Sequence, residues 1–264
     1  MRKLKKVIIS ELEKIEKNEQ IKILFAVESG SRAWGFPSKD SDYDVRFVYI
    51  HPIEWYLSID EKRDVIEYPV NNLLDFSGWD IRKALKLFKK SNPPIMEWLS
   101  SPIVYLNKFA FMEQLRSIRD YYFSPKASIY HYLHMAKGNY RDYLLGNDVR
   151  IKKYFYVLRP ILACTWIEKN NSAPPIEFKT LLEKTQIENQ YLYKEVMILL
   201  ERKISGEELD FGPRIDIIND FLDKQIDYFE EYVKNVSYKK VYGNEILNEL
   251  FRNTFESVTS DDWQ

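Results

Sequence analysis

The residues with the right types and spacing for chemistry are Gly30-Ser31 and, eleven positions beyond Ser31, Asp42-Tyr43-Asp44. In an extended strand, side chains at i and i+2 share a face, so Asp42 and Asp44 project together and Tyr43 points the other way. Two adjacent carboxylates repel, and keeping both ionised calls for a cation between them. Ligands that are all oxygen suit Mg²⁺ or Mn²⁺ rather than zinc. Upstream, a chain that leaves a strand through Gly30-Ser31 into a helix would aim backbone N–H groups and the Ser31 hydroxyl at an anion. Phosphates on one side and a carboxylate pair on the other point to a metal-bound nucleoside triphosphate. Each half alone is weak, since Asp-x-Asp is commonly a solvated strand edge and Gly-Ser commonly a loop. Their order, strand, Gly-Ser, then Asp-x-Asp, is the specific feature.

These residues need elements to hold them. Ile8, Ile9, Leu12 and Ile15 predict an amphipathic helix over 5–17, which Asn18-Glu19-Gln20 ends. Ile21–Val27 reads as a buried strand, 28–35 as a turn-rich exit, Lys39-Asp40-Ser41 as a second turn, and Asp42–Ile50 as a second strand. Asp40, near the mouth, is read as a turn residue. Residues 63–70 alternate as a third strand, and Leu73–Phe76 is a short fourth. From Trp79 the period becomes helical: Ile81, Ala84, Leu85 and Phe88 share a face until Ser91-Asn92-Pro93-Pro94, and a short helix follows over 95–99. Beyond about residue 110 nearly everything reads helical. Breaks fall at Ser124-Pro125, at 170–175 and from Ser205-Gly206 to Gly212-Pro213, and the last helices span 214–235 and 241–257. The expectation is an α+β chain: an α/β unit over 1–120 and an all-helical unit over 121–264, with the break close to Ser124-Pro125.

The composition bounds the function. In 264 residues, 45% are hydrophobic and 30% charged, which excludes a disordered or collagen-like chain. Lys+Arg at 39 nearly cancel Asp+Glu at 40, so the strongly basic footprint of a nucleic-acid packaging protein is absent. Cys164 is the single cysteine, leaving no intramolecular disulfide and no cysteine-based zinc site. Glu11, Glu13 and Glu16 interrupt the N-terminal apolar run too early for a signal peptide, and no segment approaches a membrane span, so a soluble, cytoplasmic protein is expected. Aromatic residues reach 15%, with 19 Tyr, and are read as packing between helices in preference to base stacking.

Gly30-Ser31-Arg32-Ala33-Trp34-Gly35 followed by Ser41-Asp42-Tyr43-Asp44-Val45-Arg46 resembles the signature of the DNA polymerase β-type nucleotidyltransferase superfamily. More narrowly, it is similar to the bacterial RlaP-type predicted nucleotidyltransferases. The blocks Trp79–Lys83, Asn92-Pro93-Pro94 to Glu97–Pro102, and Lys152–Pro160 carry that narrower likeness, which covers roughly residues 20–170. The resemblance implies a polymerase β-like palm (a mixed sheet with flanking helices) beside the helical unit, with nucleotide in the cleft between. It implies two divalent metals, Mg²⁺ or Mn²⁺, and transfer of a nucleoside monophosphate from an NTP to an acceptor hydroxyl with release of pyrophosphate. Asp42 and Asp44 would bridge the metals, and Gly30 and Ser31 would hold the triphosphate. A third acid would bind the metal on the acceptor side; Asp75 is the choice, on a short strand before a helix, with Asp64 and Glu67 as rivals. The acceptor stays open among an RNA end, a protein hydroxyl and a small molecule, and no membrane partner is expected.

Other residues weigh less. Arg32 could clamp phosphate, and Arg46 shares the face of the two aspartates, so it either binds phosphate or neutralises them. Lys83 reads equally as an exposed helical lysine. Lys137, Lys152, Lys153, Tyr154 and Arg159 could cover the triphosphate and base, with Lys153 and Arg159 favoured by the resembling block. His131 and His134 share a helical face without a third ligand, His51 reads as structural, Cys164 as a small buried hydrophobe, and the charges at 223–231 as a solvated face. The alternatives to a transferase are a nucleotide-binding regulatory module without transfer activity and a helical interaction protein whose α/β part is vestigial.

Overall fold

The computed structural model describes residues 2–38, 41–71, 73–207, 209–236 and 243–258. Helix α1 (Arg2–Glu19) buries Ile8, Leu12 and Ile15, the i, i+4, i+7 stripe of an amphipathic helix. Strand β1 (Lys22–Glu28) then runs into a single helical turn, α2 (Gly30–Ala33), and on to β2 (Tyr43–Ile50). A short α3 (Ile53–Tyr56) leads to β3 (Val65–Asn71), β4 (Leu74–Asp80), α4 (Ile81–Lys89), α5 (Pro93–Ser100), β5 (Val104–Asn107) and α6 (Phe111–Tyr122).

The five strands form one mixed sheet in the order β3-β4-β2-β1-β5. β2 and β4 are parallel and every other pair is antiparallel. A register shift between Ile23 and Phe25 changes which face β1 presents. On one face Ile23, Ala26, Val45, Phe47, Tyr49 and Phe76 pack beneath α1. On the other, Phe25, Val27, Val48 and Ile50 pack against α4, α5 and α6. Alternation along β2 therefore puts Asp44 and Arg46 on the face of α4–α6.

Several elements differ from the expectation. β4 runs to Asp80 rather than ending at Phe76, so Trp79 belongs to the strand; α4 starts at Ile81 because the Asp80 carboxylate accepts from the Arg82 N–H at 2.8 Å and caps the helix. β3 pairs with β4 and not with β2, which sets Glu67 one strand away from Asp44. The element after Gly30 is only four residues long, too short to offer the helix N-terminus expected there. β5, a four-residue edge strand, carries too little pattern to be read in advance.

The rest is helical: α7 (Pro125–Tyr143), α8 (Tyr154–Asn170), α9 (Phe178–Thr185), α10 (Gln190–Ser205), α11 (Asp216–Asn235) and α12 (Glu245–Ser257), with β6 (Asp148–Arg150) and β7 (Phe211–Pro213) forming a small antiparallel pair. α8 is apolar almost all round and lies at the centre of this core. The two parts exchange pieces. Phe36 enters the helical core, its ring 4.8 Å from Phe155 and 5.6 Å from Phe178. In return, Leu247 and Leu250 of α12 join the apolar layer under α4 and α5. Arg159 of α8, 2% exposed, pairs with Glu97 of α5 at 2.8 Å, and the Tyr132 hydroxyl donates to the same carboxylate oxygen.

Candidate active site

Asp44 and Asp75 are the second residues of two parallel strands and stand opposite each other in register. Three consecutive residues at the end of β1 hold Asp44. The Glu28 Oε1 accepts from the Asp44 N–H at 2.8 Å, and the Ser29 N–H donates to the Asp44 carbonyl at 2.8 Å. Gly30 lies under the side chain: a Cβ there would collide with the Asp44 Oδ2, and φ of +58° adds a left-handed backbone that favours glycine. Gly30 thus makes room for the carboxylate.

Arg46, two residues along β2, reaches both aspartates. Its Nη2 lies 2.9 Å from Asp44 Oδ1 and 2.8 Å from Asp75 Oδ2. That is the neutralising geometry of the two weighed for it. Burial raises the Asp44 pKa; Arg46 opposes the shift, and the charges of Asp75 and Asp42 add to it. One guanidinium thus serves an end where the charges of two further carboxylates bear on Asp44. Asp42 is exposed just before β2, and Ser31, half-buried, has no side-chain hydrogen bond among the described residues. Arg32 is already engaged: it donates to the carbonyls of Ser41 and Asp42 at 2.7 and 3.1 Å, and stacks 3.5 Å over the Tyr43 ring. It shapes the approach to β2 and does not project into open space.

From the helical part Tyr156 comes within electrostatic reach of the site: desolvation and then the charges of Asp44 and Asp42 raise its pKa. Its ring meets Trp34 edge-on at 5.6 Å. Lys153 sits 4.3 Å from the centroid of Tyr143 and 4.7 Å from that of Tyr156, and desolvation followed by Lys152 and Arg150 lowers its pKa. Arg150 lies over Phe211, which is 62% exposed. Cations and rings thus alternate from Tyr156 to Phe211.

Not every candidate comes to these residues. Arg159 is buried on Glu97 with its guanidinium 4.7 Å over the Trp34 ring, so it supports that ring and offers nothing to a triphosphate. Asp64 pairs with Lys83 at 2.9 Å beside the opposite end of β4, and Glu67 pairs with Arg63 at 2.6 Å. Lys137 is bonded to Glu230, Lys152 lies 4.0 Å from Asp210, and the buried Tyr154 hydroxyl accepts from the Ile215 N–H. His51 stacks on Trp55 and Cys164 is buried; Asp40 lies outside the described residues. Glu28, Tyr105, Tyr156 and Glu97 escaped the sequence reading. For Glu28 a signal existed, an acid closing a mostly apolar strand two residues before Gly30; Tyr105 had none.

Among the described residues, no three His, Cys, Asp or Glu side chains stand ready around a metal position, and no helix is long and apolar enough to cross a membrane. The family described as RNA repair pathway DNA polymerase beta family (RlaP) matches residues 4–253. The uncharacterized protein YcgL of Bacillus subtilis (strain 168) is 54% identical over 258 residues, 98% of this chain and 99% of that one. A crystallised nucleotidyltransferase-like protein from Exiguobacterium sibiricum aligns with 91% of this chain and 78% of its own at 14% identity and a TM-score of 0.29, a likeness too low to carry an argument.

Proposed function

Since the chain belongs to the RNA repair pathway DNA polymerase beta family, we propose that it is a metal-dependent nucleotidyltransferase, passing a nucleoside monophosphate from an NTP to an acceptor hydroxyl. The observation that carries this reading is the pair Asp44 and Asp75 at the end of β2 and β4, with Asp42 near enough for its charge to raise Asp44; among the described residues Arg46 neutralises the pair, and Gly30 undercuts it. The donor set is all oxygen, which fits a hard divalent cation. Arg46 holds Asp44 and Asp75, so these carboxylates must leave the guanidinium to serve as ligands. When bound, Mg²⁺ or Mn²⁺ would offset triphosphate charge and favour ionisation of the acceptor hydroxyl.

The chain's own groups account for the remaining tasks. Ser31, whose hydroxyl has no partner among the described residues, offers it to the triphosphate, and Gly30 leaves room for Asp44. Asp75, whose side chain is half exposed, is placed to take the proton of the acceptor hydroxyl. As the acceptor oxygen bonds to the α-phosphorus, the bond to the β-phosphate bridging oxygen breaks and pyrophosphate leaves. The alternation of Tyr156, Lys153, Tyr143, Arg150 and Phe211 favours a single-stranded RNA end as acceptor, because exposed rings stack on bases while cations follow phosphates.

The test is a thermal-shift series with ATP, GTP, CTP and UTP, with and without Mg²⁺, on wild type and Asp42→Ala/Asp44→Ala. Ligand at about 100 times its dissociation constant should stabilise the fold by about 2.7 kcal/mol. A Mg²⁺-dependent shift lost in the double variant is the expected result, followed by label transfer from α-³²P NTP to RNA oligonucleotides. The Arg46 ion pairs favour one second reading, a nucleotide-binding regulatory module. Binding without pyrophosphate release with any acceptor would select it, and no binding of any nucleotide would overturn both.

A further inference from the structure

We infer that Glu28, braced by Tyr105, is the positioning residue that sets the Asp44 carboxylate; this rests on the transferase reading of the same site. Glu28 is 0% exposed and forms no salt bridge among the described residues. A buried carboxylate without a paired cation is a costly choice for a strand end that an apolar residue could fill. What it does there is specific. Oε1 accepts from the Asp44 N–H at 2.8 Å, and Oε2 accepts from the Tyr105 hydroxyl of β5. Its own backbone is fixed on the β5 side, the N–H donating to the Ile103 carbonyl at 2.9 Å and the carbonyl accepting from Ser101 Oγ at 2.7 Å. The Glu28 side chain can therefore move little, and it transmits the position of β5 to the peptide N–H of Asp44. With the Ser29 N–H on the Asp44 carbonyl, this residue is gripped on both sides of its Cα. Its side chain is then directed over Gly30 and across to Asp75. Glu28 touches neither nucleotide nor acceptor in this arrangement; it acts through Asp44.

The test reads Mn²⁺ affinity directly, by electron paramagnetic resonance titration of full-length protein in the presence of ATP, with melting temperature recorded alongside. Removing an outer-shell partner typically weakens metal binding by about 10–100-fold, and that loss is expected for Glu28→Ala. Glu28→Gln keeps a carbonyl oxygen for the Asp44 N–H and an amide N–H for the Tyr105 oxygen, so it should recover most of the affinity. Tyr105→Phe, which frees Oε2 while keeping the ring, should show a smaller loss, and it decides the matter if Glu28→Ala fails to fold. Asp80→Ala is the control: it removes the cap of α4 at the other end of β4 and should lower the melting temperature without changing Mn²⁺ affinity. Wild-type affinity in a folded Glu28→Ala or Tyr105→Phe, or an equal loss in Asp80→Ala, overturns the inference while the transferase reading stands. Wild-type protein that binds no Mn²⁺ with any nucleotide overturns the transferase reading itself, and this inference with it.

Discussion

The two ends of the β2–β4 pair treat a buried carboxylate in opposite ways. At the far end Asp80, 1% exposed, receives the Tyr56 hydroxyl at 2.5 Å and the Arg82 N–H at 2.8 Å, and caps α4. Burial raises its pKa, these two donors and the Arg82 charge pull it back, and Asp64, itself paired with Lys83, adds only the last and smallest push upward. At the near end burial raises Asp44 as well, but there the neighbours include Asp75 and Asp42, which push the same way, against a single guanidinium. The same parallel register, Asp44 beside Asp75 and Tyr49 beside Asp80, thus carries a hydrogen-bonded helix cap at one end and an open excess of negative charge at the other. A fold gains nothing from the second arrangement, which is why the near end is read as the place of work and the far end as support.

The sharpest way to break this contrast is Gly30→Ala. The added Cβ collides with the Asp44 carboxylate at a left-handed φ, so Asp44 must move. Displacement of a reacting group by about 1 Å can cost about 100-fold, and a loss of that order is expected in Mg²⁺·NTP affinity, measured calorimetrically. Its counterpart is Asp80→Ala, which removes a cap and strands the Tyr56 hydroxyl. About 2–3 kcal/mol of stability should go, read by urea denaturation, while folded protein binds NTP as before. If Asp80→Ala impaired NTP binding as strongly as Gly30→Ala does, the two ends would not be functionally distinct.

The near end is legible in part because its parts are local: Gly30, Ser31, Asp42 and Asp44 lie within one strand-turn-strand segment, and strand parity puts Asp44 and Arg46 on one face, while Asp42, expected in the strand, lies just before it. What depends on pairing was not legible. Nothing in residues 63–80 said that β3 would pair with β4 and leave Asp75, rather than Glu67, opposite Asp44. Glu97 and Arg159 both stand in segments that carry the family resemblance, yet their ion pair spans 62 positions and only the packing of α8 on α5 reveals it. The helical period that begins at Trp79 places Asp80 inside a helix; the cap that starts α4 at Ile81 is a side-chain event that periodicity does not register.

Arg46→Met sharpens the comparison at smaller amplitude. Without the guanidinium, Asp44 and Asp75 face each other uncompensated, and the metal-free protein should lose about 1–2 kcal/mol, a few degrees in melting temperature. Added Mg²⁺ should return much of that stability, since the cation takes over the neutralising role. Were Arg46 a phosphate clamp instead, the variant would melt normally and lose NTP affinity, so the pair of measurements separates the two roles that sequence left open.

The smallest effect belongs to the far end and runs through pH. Burial, followed by the charges of Lys62 and Arg82, lowers the His51 pKa from 6.5 to about 4. Between these values the unfolded chain takes up a proton that the folded chain refuses, so this contribution to stability is complete above about pH 6.5 and drains away as pH falls toward 4. The ring is partly open to solvent, which limits the expected loss to about 1 kcal/mol between pH 7 and 5. His51→Phe keeps a flat ring for the stack on Trp55, now 4.1 Å between centroids and 8° from parallel, and removes the titration. Denaturation at pH 7 and pH 5 should therefore show the variant losing less stability than wild type on acidification. Asp44, whose raised pKa makes its own contribution fall as pH rises, acts in the opposite direction, so acid sensitivity that survived in His51→Phe could not be assigned to the near end.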